Sequence, residues 1–459
     1  MPGINKKFFL QLPGLIIAGL LFLSYLHNKQ PEDYNSEKDY LRFRAEGLKY
    51  SEAARSGIKY LSKYLNKRTL APDTIAEFFN RQSEINKSLR NPPDQKIILS
   101  LAFAGDIMWI RNGWDTFLSK EVKSYLEKFD LVFGNLETPI DTVKNVPSFF
   151  PDYHSYNSSP DLIRSFSKNK NENIFTVLSL ANNHALDRGK EGLESTIAFL
   201  RQSGIVPSGV SVNDSLKKAY DLIEKKGIRI GFYAATWGLN DPENLKLSDV
   251  EINVIRGIAP LRKESIDIKG IIRVLDQMKK DNIDIKILSL HWGYEFELYP
   301  DAEIIKIGRE LAAGGADLII GSHPHLIQPD EICFLNGYRY FTDESDAEST
   351  AFWQSSDSVK VPRKTLIVYS LGNFVTSMFT PLCRLGAIQS VNLYLNPLTG
   401  KTDWTYPEIK YVYNTCSDPE FSGRKLMLWE DYINRLRLKS PSKANKIRKE
   451  AAVILKLFN

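Results

Sequence analysis

Residues 97–106 have the sequence IILSLAFAGD, in which a mainly apolar run is followed by Gly105 and Asp106. A short apolar run that ends in a turn signal is typical of a buried β-strand. Five more runs have the same form, at residues 131–133, 174–180, 285–290, 318–320 and 366–369. Each is followed at once by a segment that contains Gly, Asn or His. We therefore expect a β-sheet core whose strands end in polar, chemically useful side chains.

Amphipathic helical patterns separate these runs. Leu193, Ile197 and Leu200 recur at helical spacing before a stop signal at Gly204, and residues 304–312 form a second apolar stripe. Strands that alternate with helices indicate an α/β fold. Because ligands bind beyond the carboxyl ends of the strands in open α/β sheets, the polar segments are the expected functional site.

The composition excludes several classes of protein. The chain has 459 residues, 43% of them hydrophobic, which suits one large domain or two average ones with a buried core. Its formal net charge of +5 gives no case for binding nucleic acid. Cys333, Cys383 and Cys416 have no CxxC spacing, which excludes a disulfide framework and a thiolate zinc cluster. One disulfide bond and three free thiols both stay open.

The N-terminus predicts a membrane anchor. Lys6 and Lys7 precede an uncharged, mainly apolar run at residues 8–26. A helix of that length, rising about 1.5 Å per residue, just crosses a hydrocarbon core of roughly 30 Å. The basic residues before it favour an N-terminus inside the cell. A cleaved signal peptide is the alternative, although no small-x-small cleavage site follows. We expect an uncleaved, single-pass anchor at residues 1–27 of a cell-membrane protein, with the main domain extracytoplasmic.

The remaining chain divides into three parts. Residues 28–95 are polar with loosely helical spacing, which predicts a helical stalk or cap, and Asn-Pro-Pro-Asp at 91–94 separates them from the main domain at 96–430. Within that domain, the acidic, serine-rich stretch at 341–364 predicts a surface insertion. Residues 431–459 predict a basic C-terminal helix. Such a helix is usually a solvated face, and contact with anionic lipid or polymer is the alternative.

Four of the six histidines follow apolar runs directly, namely His184, His291, His323 and His325. The same strand ends carry acidic and amide side chains, which are Asp106, Asn135, Glu137 and Asn183. A lone histidine at such a place is more often structural than a ligand, but this combination predicts a metal site. Imidazole and carboxylate ligands suit Zn, Mn or Fe, and two ions roughly 3.5–4 Å apart can hold both oxygens of a displacement reaction.

The His323-Pro324-His325 segment predicts a specific geometry. In an extended backbone its two histidines point the same way, because side chains alternate with period two. They could then serve neighbouring ions. Pro324 restrains the residue before it and reduces the entropy lost on ligation.

Six motifs occur in the order in which a known family has them. They are Gly105-Asp106-Ile107-Met108, Asn135-Leu136-Glu137-Thr138-Pro139, ANNHALD at 181–187, His291-Trp292-Gly293, His323-Pro324-His325 and SLGNF at 370–374. Over about residues 96–395 the chain closely resembles the CapA family of capsule, or poly-γ-glutamate, biosynthesis proteins. The resemblance implies a calcineurin-like metallophosphoesterase fold, a four-layer α/β/β/α sandwich in which helices flank two packed sheets.

The resemblance also implies roles for the acidic residues. Asp106 matches the aspartate of the superfamily's Asp-x-His motif, and Met108 stands at the histidine position of that motif. Glu137 most resembles the bridging carboxylate, with Asn135 as the alternative. Because a thioether is a poor ligand for hard or borderline cations, Met108 leaves open whether one or two divalent ions bind.

Asn183 and His184 resemble the superfamily's Asn-His pair, in which Asn ligates metal and His faces the substrate as an acid or charge stabiliser. The later ligand histidines of the superfamily are matched by His291, His323 and His325.

Four further residues are candidates on chemical grounds. Glu295, four residues after His291, could be a ligand or base, with a solvated acid as the alternative. Asp187 could orient His184, with a helix N-cap as the alternative. Arg111 and Arg188 could bind a carboxylate or phosphate of the substrate, although a surface role is common for such residues.

Two hypotheses for the function come from different classes. The first is a metal-dependent hydrolase that cleaves a phosphoester or amide bond of an anionic, poly-γ-glutamate-type polymer. The second is a non-catalytic subunit that binds the polymer or a membrane-bound synthase complex, and the predicted anchor and Met108 favour it. A nuclease is disfavoured because no basic stripe is interleaved with aromatic residues.

Overall fold

The apolar run that begins at Ile97 forms a strand, Ile97–Met108, whose second half is fully buried. This is strand β1 of a computed structural model that describes residues 73–88, 96–110, 112–146, 156–169, 172–212, 219–240, 249–255, 266–336, 339–340, 363–397, 399–405, 407–415, 421 and 423–455. The predicted anchor, most of the predicted insertion and Arg111 lie outside the described residues.

The described strands are β1 (Ile97–Met108), β2 (Leu131–Glu137), β3 (Ser167–Asn169), β4 (Glu172–Asn173), β5 (Val177–Ser179), β6 (Val206–Ser208), β7 (Val210–Val212), β8 (Asp221–Lys225), β9 (Ile228–Thr236), β10 (Val250–Ile252), β11 (Ile285–His291), β12 (Leu318–Ser322), β13 (Ile327–Asn336), β14 (Arg339–Tyr340), β15 (Arg363–Leu371), β16 (Asn373–Val375), β17 (Leu385–Leu395), β18 (Thr402–Trp404), β19 (Glu408–Asn414) and β20 (Leu426–Leu428). The described helices are α1 (Asp73–Ser88), α2 (Lys120–Leu126), α3 (Asp161–Arg164), α4 (Gly189–Gln202), α5 (Lys269–Lys280), α6 (Ala302–Ala313), α7 (Trp429–Lys439) and α8 (Pro441–Leu455). Each predicted apolar run lies in or around one of these strands, and both predicted helices are present as α4 and α6.

Two large sheets contain most of the strands. The first has the order β20-β19-β17-β1-β2-β5-β6, with β16 beside β1 and β18 beside β17, and the second has the order β14-β13-β15-β12-β11-β9-β8. The centre of the first sheet is parallel from β1 through β2 and β5 to β6. The centre of the second is parallel from β15 through β12 and β11 to β9. The predicted mixed α/β class is therefore confirmed.

The alternation of side chains along β1 and β2 explains how the layers pack. Phe103 and Phe133 stack on each other, and Phe133 stacks on Phe232 of the second sheet with ring centroids 5.3 Å apart. Ala102 and Val132, which precede these phenylalanines on β1 and β2, face the other way into a core shared with α2, α3 and α4. The sheets thus meet face to face and helices cover an outer side. Each large apolar side chain buried in this way contributes about 1.5–3 kcal/mol.

A close backbone crossing holds the two sheets together beside the end of β1. The chain passes from β15 in the second sheet to β16 in the first at Gly372, whose φ of 63° favours glycine. The backbone N–H of Asp106 donates to the Gly372 carbonyl at 2.9 Å. A Cβ atom on Gly105 would lie 2.0 Å from that oxygen, so no other residue fits there. The Gly-Asp pair therefore sets Asp106 at the junction of the sheets.

The structure describes part of each region predicted to flank the main domain. Helix α1 lies within the segment predicted to be a stalk or cap, and its Phe79 packs on Tyr369 and Tyr299 of the main domain. The basic C-terminal segment forms two helices, because Pro441 cannot continue α7 and begins α8 instead. Among the described residues, no helix combines the length and the apolar character that a membrane crossing needs.

Candidate metal centre

The carboxyl ends of parallel strands from both sheets meet in one cluster of buried polar side chains. β1 and β2 of the first sheet bring Asp106 and Glu137, and β11 of the second sheet ends in His291. The turn after β12 adds His323 and His325. Each of these five side chains belongs to a residue that is 2% exposed or less. Asp106 and His323, which are separated by 217 positions in the sequence, are thus in contact.

Glu137 belongs to two groups of candidate ligand atoms. Asp106, Glu137 and His291 offer atoms that all lie within 4.8 Å of one another, and so do Glu137, His323 and His325. Glu137 Oε1 lies 3.6 Å from His291 Nε2 and 4.0 Å from His325 Nε2. A carboxylate common to two such groups is placed where it could bridge two ions, the role that the resemblance implied for it.

The His323-Pro324-His325 segment is not extended. The φ angles of His323 and His325 are 98° and 57°, in the left-handed region that residues other than glycine rarely adopt. The prediction of an extended H-x-H segment is therefore wrong. The physical reason is tertiary: the N–H of His323 donates to Asp106 Oδ2 at 3.2 Å, which turns the backbone toward the cluster. Backbone strain of this kind concentrates at functional sites.

Asn135 contacts Asp106 through its amide group. Its Nδ2 donates to Asp106 Oδ1 at 2.9 Å, and its Oδ1 accepts from Asn182 Nδ2 at 3.2 Å. Asn182 also donates to the Leu136 carbonyl at 2.8 Å. In this arrangement Asn135 orients the Asp106 carboxylate, and its proposed role as a ligand stays a prediction.

Asn183 directs its oxygen into the cluster. Asn183 Oδ1 lies 2.8 Å from His291 Nε2, while its Nδ2 donates to Asn240 Oδ1 at 3.0 Å. An amide oxygen beside an imidazole nitrogen is a suitable pair of ligands for a divalent ion.

His184 lies next to the cluster and has two close partners. Its Nδ1 is 2.6 Å from Asp187 Oδ2, and its ring stacks on Tyr156 with centroids 3.9 Å apart. Asp187 also accepts from the Tyr156 N–H at 2.7 Å. Arg188, rather than Asp187, occupies the N-cap position of α4, and no side chain caps that helix. The contact thus has the form of an imidazole–carboxylate pair, and the predicted role of Asp187 in orienting His184 stays a prediction.

The other candidates are placed less centrally. Glu295 Oε1 lies 3.9 Å from His325 Nε2, so this acid reaches the edge of the cluster. Arg188 is half-buried, and its Nε donates to the Tyr156 carbonyl at 3.0 Å. Its proposed contact with substrate stays a prediction, as does that of Arg111, which lies outside the described residues. Met108 is buried opposite Glu137 in the β1–β2 register, and its sulfur accepts from Thr376 Oγ1 at 3.6 Å.

Burial dominates the electrostatics of the cluster. It raises the pKa of Asp106 to about 6, although the Asn135 amide and the His323 N–H oppose the shift. Burial also raises the pKa of Glu137 well above its usual range, and the charges of Asp106 and Glu295 add to the effect. Burial and the neighbouring histidines lower the pKa of His291 well below its usual range. Negative charge is thus costly here unless a cation compensates it, and the imidazole of His291 is available as a neutral ligand.

The residues present fit a divalent metal ion. Both carboxylate oxygens of Glu137 are buried, and neither has a hydrogen-bond partner among the described residues. A buried carboxylate without partners is rare in a folded protein because its desolvation is uncompensated. Histidine nitrogens, carboxylates and an amide oxygen around it make up the donor set that Zn, Mn and Fe accept.

Sequence reasoning missed several residues that hold the site together. Asn182 is inside the ANNHALD motif, so the motif itself was a usable signal. The SLGNF motif also reaches the site, because Asn373 Oδ1 lies 3.0 Å from His325 Nδ1. Ser322 Oγ lies 3.1 Å from His291 Nδ1. Tyr156 and Asn240 come from loops without a motif, and only the folded structure brings them to the site.

Comparison with known proteins gives a consistent assignment at the level of sequence. The family model described as "Bacterial capsule synthesis protein PGA_cap" matches residues 100–378. The "PGA biosynthesis protein CapA" of Bacillus subtilis is 29% identical over 67% of this chain and 71% of its own length. The "Capsule biosynthesis protein CapA" of Bacillus anthracis is 26% identical over 66% of this chain and 65% of its own length.

Solved structures with some similarity were also found. The calcineurin-like phosphoesterase YfkN of Bacillus subtilis is 13% identical over 76% of this chain and 99% of its own, with a TM-score of 0.35. The NAD nucleotidase of Haemophilus influenzae is 13% identical over 78% of this chain and 59% of its own, with a TM-score of 0.38.

Proposed function

Since the chain belongs to the PGA_cap family of bacterial capsule synthesis proteins, we propose that it acts in the synthesis or export of an anionic capsular polymer. We further propose that it does so as a metal-dependent hydrolase with a metallophosphoesterase-like fold. The polymer is of poly-γ-glutamate type, and the bond cleaved is an amide of the polymer or a phosphoester of a precursor. The names of the relatives from Bacillus subtilis and Bacillus anthracis support the choice of polymer.

The observation that carries this proposal is the position of Glu137 between the two groups of candidate ligands. In the proposed site, one or two Zn, Mn or Fe ions would be held by Asp106, Glu137, Asn183, His291, His323 and His325. A divalent ion in such a site polarises the bond under attack and lowers the pKa of water.

The chain's own residues have separate tasks. Asp187 accepts from His184 Nδ1 at 2.6 Å and thereby holds the ring in one orientation, and stacking on Tyr156 restrains it further. His184 then stabilises or protonates the leaving group through its other nitrogen. Glu295, at the edge of the cluster, is the proposed base. Arg188 and Arg111 are the proposed contacts for the anionic groups of the polymer.

We also propose that the N-terminal segment anchors the protein in the membrane with this domain extracytoplasmic. The uncharged run at residues 8–26 and the preceding lysines support the proposal. Cysteine scanning across residues 28–72 with a membrane-impermeant thiol reagent tests it. Labelling of intact cells is expected, and labelling only after lysis would contradict this topology.

A non-catalytic role is the second candidate, and Met108 favours it. A methionine replaces the histidine of the Asp-x-His motif, and its sulfur accepts a hydrogen bond from Thr376 Oγ1. On this alternative the domain binds the polymer or a membrane-bound synthase complex, and the cluster serves structure.

The full chain, purified in detergent and loaded with Mn²⁺ or Zn²⁺, separates the two roles. We expect stoichiometric metal and hydrolysis of either a phosphodiester probe or poly-γ-glutamate, with both lost in His323→Ala. Asn396→Ala is a matched control, because this buried asparagine donates to Asp403 beside the start of β1, at the opposite end of that strand from Asp106. Hydrolysis that persists without metal contradicts the metal-dependent proposal.

Cells that lack the gene provide a second test. We expect wild-type protein to restore capsular polymer, and the double variant His291→Ala with His325→Ala to fail. Full restoration by the double variant would favour the non-catalytic subunit.

A further inference from the structure

Asn240 reaches the metal centre from a part of the chain that no motif marks. It follows β9 of the second sheet, whereas Asn183 and His184 follow β5 of the first. Its backbone N–H donates to the Asn183 carbonyl at 3.0 Å, and its side-chain Oδ1 accepts from Asn183 Nδ2 at 3.0 Å. Two hydrogen bonds thus join these residues across the boundary between the sheets.

Asn240 also contacts His184. Its Nδ2 lies 3.3 Å from each of the two ring nitrogens of His184. One amide group therefore spans the candidate ligand Asn183 and the candidate acid His184, using its oxygen for the first and its nitrogen for the second.

The chemistry of a carboxamide gives this contact a consequence. The group has an acceptor end and a donor end, and only the oxygen ligates a metal ion, because the nitrogen lone pair is delocalised. Asn240 Oδ1 can only accept, so it selects the orientation of Asn183 in which Nδ2 faces Asn240. Asn183 Oδ1 is then left 2.8 Å from His291 Nε2, among the ligand atoms.

We propose that Asn240 is a positioning residue of the metal centre. It keeps the side-chain oxygen of Asn183 directed toward the metal site and restrains the ring of His184. This inference rests on the proposed function only in requiring that the site binds a divalent ion. Partners behind metal ligands typically change metal affinity by about 10–100-fold when they are removed.

Three variants separate the parts of the contact. Asn240→Ala removes both ends of the amide, and the near-isosteric Asn240→Leu does the same with less loss of packing. Asn240→Asp keeps an acceptor for Asn183 Nδ2 and removes the amide nitrogen that lies 3.3 Å from the ring nitrogens of His184. Asn396→Ala is the control, because it removes a buried asparagine that donates to Asp403 outside the site.

The affinity of the full chain for Mn²⁺ and Zn²⁺, measured by titration calorimetry after removal of bound metal, is the readout. We expect Asn240→Ala and Asn240→Leu to bind about 10–100-fold more weakly. Asn240→Asp should bind at least as tightly as wild type, and Asn396→Ala should match wild type. Thermal unfolding of the metal-free proteins shows whether the variants fold. If Asn240→Ala does not fold, the metal affinity of Asn240→Leu tests the proposal.

Wild-type affinity in both Asn240→Ala and Asn240→Leu overturns the positioning role while leaving the proposed function intact. Weak binding by Asn240→Asp, equal to that of Asn240→Leu, also overturns it, because the acceptor would then be irrelevant. Absence of metal binding by the wild type would instead overturn the proposed function.

Discussion

Glu137 Oε1 lies 3.6 Å from His291 Nε2, although the two residues end strands of different sheets. The contact therefore exists only when both sheets are folded and packed together. It also places a carboxylate whose oxygens have no hydrogen-bond partner among the described residues within reach of three histidines. Without a cation, such a group lowers the stability of the metal-free fold. The site is therefore expected to gain affinity for metal at the expense of that stability.

The first prediction concerns Glu137 itself. Glu137→Gln keeps the shape of the side chain and removes its charge, so metal binding should be lost at both groups of ligands. The metal-free variant should be at least as stable as the metal-free wild type at pH 7, because an uncompensated buried carboxylate is gone. Saturating Mn²⁺ at about 100 times its Kd should stabilise the wild type by about 2.7 kcal/mol and the variant by nothing measurable. Denaturant unfolding with and without metal measures both. An equal shift in the two proteins would contradict the bridging position.

The second prediction concerns Met108, which faces Glu137 in the register of β1 and β2. Met108→His supplies the imidazole that the Asp-x-His motif has at this position. We expect more divalent metal per chain than in the wild type, whereas Met108→Leu should equal the wild type because a thioether contributes little to binding such ions. Metal analysis by mass spectrometry counts the ions. Two ions per chain in the wild type would show that the histidine is not needed.

The third prediction separates ligands from the proposed acid. His184→Ala should lower the rate of hydrolysis by about 10²–10⁴-fold, the usual contribution of a positioned proton donor. Asp187→Asn should act in the same direction by a smaller factor, because the ring loses its orienting acceptor. Both should keep wild-type metal content. Loss of metal in either variant would place these residues in the ligand shell instead.

The strands and the central residues of the site could be predicted because both leave local signals. An apolar run such as 97–104 predicts a buried strand from local sequence alone. Asp106 follows this run, at the carboxyl end of the strand, where ligands bind in open α/β sheets. The family assignment, made from six short motifs, is confirmed. The order of these motifs in the sequence was therefore enough to identify the residues of the cluster.

What could not be predicted depends on contacts across the fold. The left-handed φ of His323 follows from its N–H bond to Asp106, which is 217 positions away in the sequence. Asn240 meets Asn183 across the boundary of the sheets, and no periodicity or motif encodes that meeting. Likewise the sequence predicted a stalk or a cap for the segment that contains Phe79, and its contact with Tyr369 depends on an aromatic surface that only the folded main domain provides.

The last prediction concerns the buried network beneath that surface. Arg309 of α6 donates from Nε to Glu331 Oε1 of β13 at 2.8 Å, and the Tyr369 hydroxyl donates to Glu331 Oε2 at 2.9 Å. The arginine also lies 4.7 Å from the Phe78 ring of α1. Tyr369 in turn accepts at its carbonyl from Trp292 Nε1, next to the candidate ligand His291. The network thus links α1, α6 and the strand that ends in the metal centre.

Arg309→Met should destabilise the protein by about 3–5 kcal/mol at neutral pH, because it leaves the Glu331 carboxylate buried without its cation. Burial raises the pKa of Glu331 even in the wild type, and Arg309 opposes that shift. Without Arg309 the pKa rises further. Below about pH 4.3, the usual pKa of glutamate, the carboxyl is neutral in both the folded and the unfolded variant, so the loss in the free energy of unfolding should be smallest there. The loss should grow as the pH rises above that value. Urea unfolding across this range measures it.

Arg309→Met combined with Glu331→Leu should recover most of the loss, because neither charge is then left unpaired. Lys306 provides the control, because it is an exposed residue of α6 whose Nζ lies 3.9 Å from Glu310 Oε1 on the helix surface. Lys306→Met should change the free energy of unfolding by less than about 1 kcal/mol. A penalty in Arg309→Met that does not vary with pH would show that lost packing against Phe78, rather than the uncompensated charge on Glu331, accounts for it.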